Sequence, residues 1–414
     1  MYLENLFMYI LKLNKYELPY FSVYIYIVGV MISYAIESFA FAILLYLGPL
    51  LYLYCSIVKY KVLFYRNKNI PWYYWLLMIQ LLFMWLRFDI DGANGGTFKD
   101  INGAGATFLF LTLMWRPQIV RLKYLQKWII IMMITGVVYT VLNWNELVAA
   151  STYIYNQGYY GDSSKTIVNM AMSVGYAMMS CGFLLCIQHL LTPKVRRLTL
   201  ISSFLGLVVL MVSGRRGYSV LMICFILVYM MNSIIYAPKS KRFYQILFII
   251  SLILISVLYF IENADTQFSV LVNRIEADSR TEVFYWWNKE MGDDVFKWVF
   301  GKGVSGGYYD GGFGVVRPGI ENGIRHMILK GGLLYLIPYV ILGLQVIFLG
   351  FFKSNSRTLK ALAIYVAICI GFLYVWGAPS FSFLHLSMWI SFVLIFDPKV
   401  RKMSDGDILM KFYQ

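Results

Sequence analysis

Apolar runs long enough to cross a lipid bilayer recur from one end of the chain to the other, separated by short polar turns. A helix of roughly 20 apolar residues spans the hydrocarbon core and satisfies its own backbone there, where no water is present. With 60% hydrophobic and only 14% charged residues, a soluble protein of 414 residues could not cover this much apolar surface. The pattern predicts an all-α polytopic membrane protein.

Six basic clusters predict the topology. They lie at residues 59–68, 116–127, 194–197, 239–242, 353–360 and 399–402. Lys and Arg collect in cytoplasmic loops, and two helices fit between successive clusters, so we expect about twelve spanning helices with both termini in the cytoplasm. The expected spans are 19–36, 39–58, 71–88, 101–117, 128–149, 167–190, 197–213, 217–237, 243–261, 326–351, 358–376 and 382–397. The net charge of +15 lies in these short loops, which favours contact with anionic membrane lipids over nucleic acid.

One polar insertion divides the predicted helices. Residues 1–261 hold nine of them, 262–325 form a large extracytoplasmic loop, and 326–414 hold three more. Within the loop we expect a helix over 278–291 and irregular backbone over the glycine-rich residues 301–314. The apolar side of that helix would consist of Val283, Phe284, Trp286, Trp287 and Met291. Pro318 is expected to open the helix that re-enters the membrane.

Two adjacent arginines interrupt an apolar run at Ser213-Gly214-Arg215-Arg216-Gly217. This is the only break between the basic clusters at 194–197 and 239–242, so Arg215 and Arg216 are predicted to face away from the cytoplasm. A guanidinium binds phosphate oxygens through paired hydrogen bonds and stays charged at any pH. We interpret the pair as a lipid-diphosphate site, although a single arginine there would extend to lipid headgroups or pair with a loop carboxylate.

The large loop supplies further charged candidates. Arg280 lies one turn after Glu276, a spacing equally typical of a surface ion pair. Arg317 precedes Glu321 and His326, and either of these two side chains could act as a general base towards a hydroxyl. The alternatives are a histidine in headgroup contact and a carboxylate that stabilises a helix N-terminus.

Several other groups are weaker candidates. Asp89 and Asp91, in a second glycine-rich outer loop, have a spacing that keeps a metal-dependent variant open. The five cysteines lie in apolar segments without metal-ligand spacing and are interpreted as packing residues. Four aromatic rings of the large loop are candidates for stacking on sugars: Trp286, Trp287, Tyr308 and Tyr309.

Taken in order, these motifs resemble the O-antigen polymerase and O-antigen ligase superfamily over about residues 195–345. The matching residues are Ser213-Gly214-Arg215-Arg216-Gly217, then Arg280, Trp286, Gly301 and Gly303, then Glu321-Asn322 followed by Lys330 and Gly332. The ligase-type pattern of that family has His-Asn where this chain has Glu321-Asn322, and an acidic residue where it has Lys330. These two departures favour the polymerase over the ligase.

The resemblance implies a GT-C-like fold in the bacterial inner membrane and a metal-independent glycosyltransferase without a cofactor. The donor would be an oligosaccharide on undecaprenyl diphosphate, bound mainly by Arg215 with help from Arg216, Arg280 and Arg317. Glu321 would be the base or would position the acceptor, with His326 as the alternative. A chain-length regulator protein is an open partner.

Three other functions stay open. A ligase that transfers glycan from the lipid carrier to an acceptor shares the expected fold. A flippase for the same lipid suits about twelve helices, but we see no internal repeat, and the charges gather in one outer loop instead of along a pathway within the membrane. A lipid-linked peptidoglycan polymerase has no supporting motif.

Overall fold

A computed structural model describes residues 16–35, 39–59, 69–88, 104–149, 173–212, 216–235, 280–312, 314–376 and 378–414, together with Pro238 and Arg242. These residues are mostly helical. The α-helices are α1 Leu18–Ala35, α2 Phe39–Tyr54, α3 Trp72–Leu86, α4 Val120–Leu142, α5 Cys181–Cys186, α6 Pro193–Val212, α7 Arg216–Ile235, α8 Arg280–Met291, α9 Val295–Phe300, α10 Gly323–Phe352, α11 Arg357–Gly371, α12 Leu373–Trp376, α13 Phe383–Phe396, α14 Pro398–Arg401 and α15 Asp405–Tyr413. The remaining elements are a π-helical turn at Cys55–Lys59, 3₁₀ helices at Ala104–Met114 and Gln188–Leu190, and the strands β1 Tyr308–Asp310 and β2 Val315–Arg317.

Several helices are suited to a lipid environment. Four segments are long and apolar enough to cross a bilayer: Val120–Leu142, Gly217–Ile235, Gly323–Phe352 and Arg357–Val375. Large apolar side chains point outward from the helices, including Leu82 and Ile201, which are 63% and 66% exposed. Extensive outward apolar surface of this kind marks contact with a membrane. The chain is therefore a helical membrane protein, while the number of spans stays a prediction because residues 243–261 lie outside the described residues.

Segments predicted to be cytoplasmic meet at one end of the helix bundle, which we call the basic end. The contacts are a salt bridge of 2.6 Å between Lys127 Nζ and Glu17 Oε2, and hydrogen bonds from Asn355 N to Arg401 O at 3.0 Å and from Tyr413 Oη to Leu190 O at 2.8 Å. The helices that connect these segments along the chain must therefore run to the opposite end of the bundle and return. We call that opposite end the outer end. The basic cluster at 60–68 lies outside the described residues.

A buried histidine at the basic end makes a pH-dependent contribution to stability; it follows the apolar helix Ser173–Cys186, which ends before the predicted span limit of residue 190. His189 Nε2 is 2.9 Å from Thr358 Oγ1. Burial first, and then Arg357, lowers the pKa of His189 from 6.5 to about 4, against an opposing effect of Asp405. The folded state thus binds a proton less readily than the unfolded chain, so stability is complete above pH 6.5 and falls as the pH drops towards 4.

We expect acidification from pH 7.5 to 5 to remove about 2 kcal/mol of stability through this residue. The His189→Gln variant keeps a hydrogen-bonding side chain near Thr358 but does not titrate. Thermal unfolding in detergent at both pH values should therefore show a smaller acid-induced loss for the variant than for the wild type. An equal loss in both would contradict the assignment.

The start of α4 corrects one predicted boundary. The span was expected over 128–149, after the basic cluster, but the helix begins at Val120. Arg121 is only 3% exposed because its Nε donates to Arg116 O at 2.9 Å and its guanidinium lies 4.9 Å from the Trp115 ring. This arginine is therefore a packed helix residue and not part of an exposed loop.

The centre of the bundle is a pair of short helices. Every residue of α13 is buried, and α13 packs against the 3₁₀ helix Ala104–Met114. Phe110 and Trp389 form the closest ring contact between them, with centroids 4.5 Å apart. A 3₁₀ helix rises about 2 Å per residue, so it spans a greater distance than an α-helix with the same number of residues. The surrounding helices shield this pair from lipid.

Residues 280–322 form a compact outer unit that precedes α10. Strands β1 and β2 pair antiparallel, with Tyr308 opposite Arg317. Trp287 and Met291 of α8 are buried in a small apolar cluster together with Tyr308. The predicted helix over 278–291 is confirmed from Arg280 to Met291, and its apolar side is confirmed because Val283, Phe284 and Trp286 also pack against this cluster.

Two local predictions for the outer unit are wrong. Residues 301–314 are not wholly irregular, because β1 lies within them and Asp310 Oδ1 accepts a hydrogen bond from Gly312 N at 3.1 Å in the turn. Pro318 does not open α10. The helix begins after Asn322, whose Oδ1 accepts from Arg325 N at 3.0 Å, and such an N-cap is a stronger start signal than the proline.

Candidate functional site

The outer unit is joined to the membrane helices at a break in α10. Gly332 interrupts the helix with φ 66° and ψ −166°, a conformation that is essentially restricted to glycine. Beside the break, Leu329 O accepts a hydrogen bond from Lys302 N at 2.7 Å, and Lys330 O accepts one from Gly303 N at 2.9 Å. Backbone groups of the outer unit therefore satisfy carbonyls of a membrane helix.

Two polar side chains, one from the middle of α3 and one from its C-cap, complete this junction. Gln80 Nε2 donates to Gly331 O at 2.7 Å and to Phe300 O at 3.0 Å. Arg87 Nη2 donates to Phe300 O at 2.8 Å and to Gly301 O at 2.9 Å. Buried carbonyls without partners are costly, so these two side chains stabilise the crossing of α3, α9 and α10.

The glycine cluster has a structural explanation at this junction. A Cβ atom on Gly301 would lie 2.5 Å from Gly331 N, and one on Gly303 would lie 2.9 Å from Arg87 O. Glycine is therefore required where the two backbones approach each other.

Below the junction, a cavity of about 10 Å³ has room for about one water molecule. His326 and Lys330 line it, together with Met84, Ala106, Thr107, Val304, Tyr335 and Pro379. Lys330 Nζ donates to Val304 O at 2.9 Å and to Gly306 O at 2.8 Å, so this buried cation holds the turn of the outer unit. His326 is 4% exposed whereas Glu321 is exposed. Of the two predicted bases, Glu321 is the one open to an incoming substrate.

Glu321 and Arg325 lie on opposite sides of the start of α10. Glu321 precedes the N-cap residue Asn322 and is outside the helix, whereas Arg325 is in its first turn. The Arg325 guanidinium carbon lies 3.5 Å from the Phe284 ring centre and 5.3 Å from that of Trp287. The aromatic face of α8 therefore orients this arginine.

Two other cations of the outer unit pair with carboxylates. Arg317 Nε is 2.6 Å from Asp310 Oδ2, and Lys302 Nζ is 2.7 Å from Glu290 Oε1. Burial raises the pKa of Glu290, but the hydrogen bond and charge of Lys302, together with Lys297, outweigh that effect and leave the pKa below 4.5. Arg317, a predicted diphosphate ligand, thus has at least one of its donors committed to the protein.

The predicted sugar-stacking rings divide into two groups. Trp287 and Tyr308 are 2% and 1% exposed and cannot meet a sugar in this structure, so that prediction is wrong for them. Tyr309 is 50% exposed and packs edge-on against the partly buried Trp286, with centroids 6.3 Å apart. Of the four predicted rings, these two are therefore the ones with exposed surface that a sugar could contact.

The arginine pair can be located only through its neighbours. Arg215 lies outside the described residues, as do the side chains of Arg216 and Arg280. Helix α7 begins at Arg216, and Tyr218 in its first turn is buried, with its hydroxyl donating to Tyr176 Oη at 2.7 Å. A buried polar contact therefore follows the arginines directly.

Sequence reasoning missed a polar cluster beside Tyr218. A second cavity of about 10 Å³ is lined by Tyr218, Ser380, Ser382 and His385, among others. His385 Nδ1 accepts from Ser380 N at 3.2 Å and is 2.8 Å from Ser380 Oγ. Because a backbone N–H donates to Nδ1, the neutral ring carries its proton on Nε2. The signal was the Ser-x-Ser-x-x-His pattern at the start of an apolar run.

One short segment separates the two cavities. Pro379 lines the cavity that holds His326, while its neighbours Ala378 and Ser380 line the cavity that holds Tyr218. The start of α7 and the start of α10 thus approach the same segment from two sides.

Comparison of the chain with protein-family models, curated proteins and solved structures gives no match. Within the part of the chain that the structure describes, no group of three or more His, Cys, Asp or Glu side chains is placed to hold a metal ion. Asp89 and Asp91 lie outside that part.

Proposed function

We propose that the protein is a polymerase that joins undecaprenyl-diphosphate-linked oligosaccharide repeat units into O-antigen or into capsular or exopolysaccharide. The observation that carries the proposal is that α6 ends and α7 begins at the outer end, and Arg215 and Arg216 lie at this point in the sequence. Helix α6 begins next to the basic end and α7 packs beside it, so the end of α6 at Val212 and the start of α7 at Arg216 lie at the outer end. The outer unit, with its exposed carboxylate Glu321, lies at this end as well.

The topology of the proposal follows from the same arrangement. The basic end faces the cytoplasm of a bacterium and the outer end faces away from it, because Lys and Arg are retained on the cytoplasmic side of the inner membrane. Both chain termini are then cytoplasmic. We expect about twelve spans in a GT-C-like arrangement, with α13 and the 3₁₀ helix Ala104–Met114 as two buried ones among them.

The proposed chemistry is a displacement at the anomeric carbon of the donor sugar. A hydroxyl of the acceptor glycan forms the new glycosidic bond, and the lipid diphosphate leaves with the electron pair of the broken bond. Glu321 accepts the hydroxyl proton or positions the acceptor, while Arg215, Arg216 and Arg280 stabilise the charge that develops on the diphosphate. Arg317, whose Nε is paired with Asp310, is the fourth proposed ligand of the diphosphate.

Deletion of the gene and complementation with the wild type test the proposal. Surface polysaccharide resolved by length should show only single repeats in the deletion strain and a ladder after complementation. Long glycan left on the lipid carrier would identify a ligase. Single repeats retained on the cytoplasmic face, inaccessible to an added lectin, would identify a flippase.

A further inference from the structure

Most partly buried cations of the outer end have an acceptor within the protein. The pairs are Arg87 with the carbonyls of Phe300 and Gly301, Lys330 with those of Val304 and Gly306, Lys297 and Lys302 with Glu290, and Arg317 with Asp310. Lys289 lies over the Trp286 ring at 4.8 Å and is exposed to solvent. Arg325 is partly buried but is not one of these paired cations.

The Arg325 guanidinium is held by rings and not by acceptors. Its Nη1 is buried and has no hydrogen-bond partner among the described residues. The faces of Phe284 and Trp287 fix the plane of the group, at 3.5 Å and 5.3 Å from its central carbon. A ring face stabilises the cation but leaves the N–H donors along its edge unused. A buried guanidinium N–H without an acceptor is costly, so this donor favours an additional acceptor at the site.

The surroundings favour an anionic acceptor. Arg325 lies in the first turn of α10, where the N–H groups of Gly323 and Ile324 have no partner within the helix and the helix dipole is positive. Asn322 Oδ1 accepts a hydrogen bond from the backbone N–H of Arg325, and the Arg325 side chain takes no part in this cap. A planar guanidinium of fixed orientation matches two oxygens of a phosphate group.

We propose that Arg325 binds a phosphate group of the polyprenyl diphosphate donor, an inference that rests on the proposed function. The ring stack holds the guanidinium in its binding orientation before the lipid arrives, which lowers the entropic cost of association. A phospholipid headgroup carries the same phosphate chemistry, and the experiment separates these two sources.

The test measures lipid binding to the purified full-length protein in nanodiscs by native mass spectrometry, with undecaprenyl diphosphate and phosphatidylglycerol as separate probes. Arg325→Gln should weaken binding of undecaprenyl diphosphate by about 10- to 100-fold, the range for a charge-assisted hydrogen bond. Lys289→Gln removes the same charge from an exposed position of the same unit and should leave binding unchanged. Inorganic pyrophosphate should compete with the lipid in the wild type.

A further variant separates binding from folding. Arg325→Lys keeps the charge but not the flat fork, and we expect a partial loss of affinity at an unchanged melting temperature. Wild-type affinity in Arg325→Gln would overturn the proposal, as would a lowered melting temperature with unchanged affinity. A loss confined to phosphatidylglycerol, or equal for both lipids, would assign the site to a headgroup and overturn the donor assignment.

The two proposals fail in different ways. If Arg325→Gln weakens binding of undecaprenyl diphosphate while deletion of the gene leaves the ladder intact, the phosphate site is supported and the proposed polymerase function is wrong. If deletion removes the ladder while Arg325→Gln binds the lipid normally, the polymerase stands and the Arg325 site is wrong.

Discussion

Gly332→Ala is expected to abolish the folded protein. Alanine would adopt a backbone conformation that costs on the order of 1–3 kcal/mol outside glycine. Its Cβ would lie 2.2 Å from Val299 O and 2.5 Å from Phe300 N, so α9 would have to move away from α10. That movement breaks the hydrogen bonds from Lys302 N and Gly303 N and leaves buried carbonyls unsatisfied. We expect a total destabilisation on the order of 5 kcal/mol or more, comparable to the whole stability of many domains.

The measurement is size-exclusion chromatography of a fluorescent fusion in mild detergent. Gly332→Ala should give aggregate or degraded protein instead of the single peak of the wild type. Gly371→Ala is the matched control, because a Cβ at this helical glycine meets no atom within 4 Å. It should be neutral or stabilising by up to about 1 kcal/mol. A normal peak for Gly332→Ala would show that the junction at α10 is not needed for folding.

Arg215→Ala is expected to leave the protein folded and to remove the polysaccharide ladder. The residue lies between α6 and α7, two helices that pack against each other without it. If its guanidinium stabilises the leaving diphosphate, its loss should reduce the rate by about 100- to 1000-fold, as removal of a comparable charge-stabilising donor does. Such a reduction leaves mostly single repeats on a gel.

Arg197→Ala is the control for this prediction. Arg197 is an exposed arginine at the opposite end of α6, next to the basic end, and its loss should keep the ladder. Both variants should be compared at matched membrane expression. A full ladder with Arg215→Ala would make the arginine pair structural and would remove the central support for the proposed site.

The apolar runs predicted where helices form but not where charges are neutralised. Helices α1 to α3 match their expected positions closely, because length and hydropathy alone determine them. The start of α4 was missed by eight residues, since the partners of Arg121 are a backbone carbonyl and the Trp115 ring, which no local pattern reveals. The break at Gly332 likewise depends on residues about 30 positions earlier in the chain.

The candidate site was predicted in its residue types more than in its geometry. The sequence offered Glu321 and His326 as alternative bases, but the start of α10 after Asn322 leaves the Glu321 carboxylate exposed and the His326 imidazole buried. His385 was overlooked because it follows the apolar Phe381, Phe383 and Leu384, and its hydrogen bond to Ser380 depends on a helix start that hydropathy does not locate.

The junction at α10 also sets an order of assembly during synthesis. The carbonyls of Leu329, Lys330 and Gly331 require donors that come from Gln80, Lys302 and Gly303, all of which leave the ribosome before α10 does. When the first half of α10 enters the bilayer, its partners are therefore already present to receive it. A circular permutant that places α10 ahead of α3 and α9 would reverse this order and insert the broken helix with its backbone unpaired in lipid. The direction of translation is thus part of the folding route of this protein.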